Sequence, residues 1–202
     1  MPPAAAPPHH AEIVALCRTL LAAVFLAAVF SKVREWSALR AVLRFLAPGL
    51  ASTVHTVFAV VLLGAEGALA GLLIVGFSAD IVLAGVTGFL AVATLGLGVL
   101  RMRGYEGGCA CFGERSARGT VGWPDLLRNG MLMAVAVAAL LLVVAGGAGT
   151  PPLWTFPFPQ MTACAAVTAG AVLSYAMIDG IMAVRGARKT AASADAAGTA
   201  NA

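Results

Sequence analysis

Charge is what this sequence has least of. Only 11% of its 202 residues are Asp, Glu, Lys or Arg, against about 25% in an ordinary soluble domain. The hydrophobic residues, 60% of the total, come in blocks. A membrane-spanning helix needs about 20 consecutive apolar residues. Five runs approach or exceed that length, at 12–30, 54–75, 79–100, 126–145 and 161–184. A soluble chain of this size could not hide five of them. The expected fold class is all-α: a polytopic integral membrane helical bundle of about five transmembrane helices, a four-helix core plus one. No internal repeat is evident, so one membrane domain over 12–186 is expected. The Pro/Ala-rich start (1–11) and the tail (187–202) read as disordered.

Other absences narrow the function. Histidine is scarce: His9 and His10 lie in the start and His55 at a helix entry. None has a carboxylate at ligand spacing, so no metal is expected. No Lys or Arg precedes the first run, whereas a secretory signal needs a basic start and a shorter apolar core. That run is expected to be a retained helix. The stretch Gly96-Leu97-Gly98-Val99 follows no strand and lies inside a spanning run, which excludes a nucleotide-binding loop.

Basic residues are also missing from the connections at 76–79 and 146–160. They gather instead at Lys32, Arg34, Arg40 and Arg44, at Arg101, Arg103, Arg115, Arg118 and Arg128, and at Arg185, Arg188 and Lys189. Cytoplasmic loops carry the Lys/Arg excess. The expectation is a multi-pass plasma-membrane protein with its N-terminus outside, and with its C-terminus and the loop that holds Cys109 and Cys111 in the cytoplasm. The net charge of +4 then reflects orientation in the lipid bilayer, and no nucleic acid is expected as a partner. Val33, Trp36, Leu39, Val42, Leu43 and Leu46 recur at helical spacing and predict an interfacial amphipathic helix ended by Pro48-Gly49. The Gly- and Ala-rich spans, among them the segment from Gly64 to Gly71, suit close helix packing in lipid.

Few polar groups interrupt the apolar runs. Glu66 is central in the second, and a central charge costs roughly 2.5–3.5 kcal/mol to insert, so it needs a partner or a proton. Arg18, at similar depth in the first run, is its expected partner. The alternative is a proton-handling or quinone-facing carboxyl, which makes a quinone the one cofactor considered. Cys17 and Cys164 fall at similar depth on one side and read as small hydrophobes or as a second thiol pair.

The remaining cysteines stand in Gly107-Gly108-Cys109-Ala110-Cys111-Phe112-Gly113. One intervening residue keeps the two sulfurs within reach, and the small ring would strain and labilise the bond. Nearby Arg101, Arg103 and Arg115 and a helix start near Trp123-Pro124-Asp125 favour a reactive thiolate. Two thiolates fall short of a four-ligand metal site. Taken together, Arg18, Phe25, Phe30-Ser31-Lys32, Glu66, Cys109-Ala110-Cys111-Phe112-Gly113 and Gly122-Trp123 with Leu127-Arg128-Asn129 resemble the methylamine utilisation protein MauE family. That family belongs to a wider DoxX-like group of redox-associated membrane proteins.

The resemblance implies a role in maturing exported proteins, with a thioredoxin-like, MauD-like partner and an exported client. It makes Cys109 and Cys111 the catalytic pair, and Arg18, Lys32, Glu66, Phe112, Gly113, Arg128 and Asn129 supporting residues. Three classes result: a membrane thiol–disulfide oxidoreductase or its accessory, a non-catalytic scaffold subunit, and a transporter. The last lacks an inverted repeat and broken helices.

Overall fold

The computed structural model describes residues 8–105 and 123–146, with Thr162 and Ala166. By internal packing the chain divides into two units, Met1–Thr168 and Ala169–Ala202, and the described residues all belong to the first. The helices are α1 (Pro8–Arg34), α2 (Trp36–Leu46), α3 (Ser52–Val75), α4 (Ala79–Met102) and α5 (Trp123–Gly146). Four of them, all but α2, are long and apolar enough to cross a membrane. There are no strands among the described residues. The chain is a polytopic helical membrane protein. The fifth apolar run, at 161–184, and the tail at 187–202 lie outside the described residues.

The helix ends follow local chemistry. α1 begins at Pro8, four residues ahead of the expected domain start, at a position where a missing amide proton costs nothing. α3 stops because Gly76 turns left-handed (φ 79°), and its N–H bonds the Leu72 carbonyl. A second left-handed glycine, Gly49 (φ 97°), follows α2 and redirects the chain into α3.

α1 packs on α3 and α5, and α4 packs on α5 and α3, closing a four-helix ring. The shared core includes Leu21, Phe25, Leu73, Leu83, Val86 and Ala136. The outside is apolar too: Phe58, Val61, Ile81, Val92, Leu95 and Leu141 are exposed, as lipid contact requires. α2 buries Leu39 and Val42 and lies against α3 and α4, leaving Arg44 exposed, so the expected amphipathic helix forms from Trp36 on, whereas Val33 belongs to the end of α1 and is exposed. Close packing falls to alanine rather than to the glycine segment. Ala59, Ala70, Ala136 and Ala139 are fully buried, whereas a Cβ placed at Gly64, Gly67 or Gly71 would meet nothing within 4 Å.

Candidate functional site

Two cations on α1 are buried in the bundle, and each finds a different partner on α3. Arg18, 1% exposed, donates from Nε (3.1 Å) and Nη2 (2.6 Å) to the carbonyl of Leu73. Leu73 lies in the last turn of α3, where a carbonyl has no amide of its own helix to bond. Arg18 therefore caps a helix end from a neighbouring helix, and its charge also suits the negative end of the α3 dipole. Lys32, near the other end of α1, pairs with Glu66 Oε1, and both residues are at least 95% buried.

The expected Arg18–Glu66 pair does not form. Side chains leave a helix tilted toward its N-terminus. α1 and α3 run antiparallel, as the Arg18–Leu73 and Lys32–Glu66 contacts require. Arg18 thus leans away from the bundle centre, toward the end of α3. Lys32 leans inward and Glu66 leans toward it, which closes the offset between their backbones. Similar depth along two helices was the wrong test, because the direction of the side chain decides the partner.

Glu66 and Lys32 border a cavity of about 40 Å³, lined also by Phe25, Phe89, Leu90, Arg128, Asn129 and Leu132 among others. Phe25 and Phe89 stand with ring centroids 5.7 Å apart and form part of its apolar wall. α5 contributes the polar side opposite Glu66. Arg128 Nη1 lies 3.9 Å from Asp125 Oδ1, one turn away, and Asn129 is buried. Glu66 Oε2 is buried and has no hydrogen-bond donor among the described residues. Lys32, Glu66, Arg128 and Asn129, distant in sequence, thus meet at one place.

The same end of the bundle carries both flanks of the Cys-x-Cys segment. The Arg101 guanidinium lies 4.5 Å above the Trp123 ring, joining the end of α4 to the start of α5. Tyr105 packs against Phe45 of α2 with centroids 4.7 Å apart, and Arg103 Nη1 donates to the Leu46 carbonyl at 3.3 Å. His55, buried at the start of α3, donates from Nε2 to the Ala47 carbonyl (3.1 Å) and ties the end of α2 to α3. Sequence reasoning assigned His55 no role; its place just after the Pro48-Gly49 break was the available signal.

Cys109, Cys111, Phe112, Gly113 and Cys164 lie outside the described residues. Cys17 is a free thiol, partly buried against the core. Among the described residues no group of three or more His, Cys, Asp or Glu is placed to hold a metal ion.

A ring of four apolar helices around a buried cluster of opposite charges defines a class: an integral membrane protein with a polar centre. Residues 10–142 match the family described as methylamine utilisation protein MauE, and the chain belongs to that family. The matched stretch takes in nearly all of α1, all of α2 to α4, most of α5, Lys32, Glu66, Arg128, Asn129 and both residues of the Cys-x-Cys pair. No curated protein and no solved structure matches the chain.

Proposed function

We propose that this member of the methylamine-utilisation family is a membrane thiol–disulfide redox protein, or the accessory of one, acting through Cys109 and Cys111 in maturing exported proteins. The main support is the place where the Cys-x-Cys segment is tethered. Tyr105 and Trp123, its flanks, are held by aromatic and cation–π contacts at the end of the bundle that also carries the Lys32–Glu66 pair and Arg128. Cys111 is six residues from Tyr105, and about 3.3–3.6 Å per residue limits its distance from that anchor to roughly 20 Å.

In the proposed exchange, a thiolate of the pair attacks the disulfide of a thioredoxin-like partner, and one partner sulfur leaves as a thiolate. The second cysteine then attacks the mixed disulfide. A Cys109–Cys111 disulfide forms, and the partner departs as a dithiol. Run backward, the same steps oxidise the partner and leave the pair reduced. The cations Arg101, Arg103 and Arg115, near in sequence, favour the thiolate form that both directions need.

We further propose that the end carrying Lys32, Arg44, Arg101 and Arg103 faces the cytoplasm, since cytoplasmic ends collect Lys and Arg. A reporter fused after Lys189 is expected to read as cytoplasmic, and an outside reading reverses this orientation. For the chemistry, the redox state of the pair is trapped with thiol reagents, and Cys109→Ser and Cys111→Ser are tested for a mixed disulfide with a thioredoxin-like protein. One single-Ser variant is expected to accumulate that adduct. A pair that remains reduced at every physiological potential, with both Ser variants fully active, leaves the scaffold reading in its place.

A further inference from the structure

The cavity beside Glu66 carries chemistry that thiol exchange does not use. We propose that it is a hydrated, proton-exchanging site inside the membrane, with water bound between Glu66 Oε2 and Asn129 and a proton passing between that water and the carboxylate.

Glu66 Oε1 is occupied by Lys32, while Oε2 borders the cavity and has no donor among the described residues. A buried carboxylate oxygen without a donor costs several kcal/mol, so a donor belongs there. About 40 Å³ exceeds the roughly 10–15 Å³ that one water requires. The walls also offer a water the two to four polar partners it needs: the Glu66 carboxylate, the Asn129 amide, the Lys32 ammonium and the Arg128 guanidinium. The space is far below the roughly 150 Å³ that holds a benzene-sized ring. Water, rather than an organic ligand, is the occupant that fits.

Charged groups face Glu66 from two sides. α1 presents Lys32, and α5 presents Arg128, itself beside Asp125. The cavity residues of α4, Phe89, Leu90 and Ala93, carry no charge. Two cations thus face the carboxylate, and the α4 wall of the cavity is apolar. Taking a proton from a hydronium at Oε2 forms an O–H bond, leaves water, and raises the charge of the cluster by one. The reverse step restores the Lys32–Glu66 pair. Neither step needs an oxidant, and neither depends on Cys109 or Cys111.

The test is infrared difference spectroscopy of the full chain in lipid nanodiscs, with ¹³C-glutamate, across the pH range in which the protein remains folded. A labelled carboxylate band is expected to convert reversibly into a carboxylic-acid band. Glu66→Asp, which keeps a carboxyl but removes the label from this position, should delete that conversion from the labelled set. Asn129→Leu, which fills the cavity and spares the ion pair, should shift the acid band and slow its response to a pH jump. A labelled Glu66 band that never converts while the fold persists overturns the proposal. So does a conversion that Asn129→Leu leaves unchanged, because water would then have no part in it. Neither result bears on the thiol chemistry, which the trapping experiment decides separately.

Discussion

The two ends of α1 solve one problem in different ways. Each must keep a buried cation in an apolar bundle, Arg18 at one end and Lys32 at the other. Arg18 is answered by a neutral dipole, the orphan carbonyl of Leu73, and packs where α3 ends. Lys32 is answered by a full charge on Glu66, whose second oxygen stays open to a cavity. A guanidinium forks its donors and can seal a carbonyl with two of them, whereas an ammonium is a point charge that a carboxylate meets with one oxygen. The first end is closed and structural. The second keeps unspent hydrogen-bonding capacity, and chemistry needs such capacity.

The largest expected effect breaks the second end. Glu66→Leu strands Lys32 in the bundle and should cost about 3–5 kcal/mol, while Glu66→Leu with Lys32→Met should recover most of that loss. Thermal unfolding in detergent measures both, and a double variant no better than the single would show that the pair is not the unit. Next is Arg18→Met, which uncaps Leu73 and should cost about 1–3 kcal/mol. Combined with Glu66→Leu its effect should add to within about 0.5 kcal/mol, because Arg18 is held at the Leu73 carbonyl while Glu66 pairs with Lys32. Strong coupling would restore the rejected Arg18–Glu66 pairing.

Smaller effects sharpen the contrast. Arg101→Gln removes the cation above Trp123 and should cost about 0.5–1 kcal/mol, with both residues exposed. It should also make the reduced Cys pair slower to react with a soluble thiol reagent, since a cation that favours the thiolate is lost. A rate equal to that of the parent would detach the anchor from the proposed chemistry. The smallest effect separates two glycines of α4. Gly88→Ala meets no atom and should gain up to about 1 kcal/mol, while at Gly85 the new Cβ would stand 3.3 Å from Leu69 Cδ2, cancelling the gain.

Much of this was written in the sequence. Scarcity of charge determined the membrane environment, and the length of each apolar run placed α3, α4 and α5 to within a few residues. The pattern from Trp36 to Leu46 determined α2, because an amphipathic period is a property of one segment and needs no neighbour. The motif Cys109-Ala110-Cys111-Phe112-Gly113, with Arg18, Glu66 and Arg128-Asn129, pointed to the family that residues 10–142 match.

Partnership was decided only by the tertiary structure. Glu66 was legible as a buried charge in want of a counterpart, but depth along the runs pointed to Arg18, and Lys32 read only as one of the basic residues that follow the first run. The antiparallel packing of α1 on α3, with every side chain tilted toward its own N-terminus, selects Lys32 and hands Arg18 to Leu73. The cavity and its facing Arg128 and Asn129 were equally invisible. A run of residues specifies a helix through contacts within one segment. The void between helices is specified by four of them at once, and no single segment contains it.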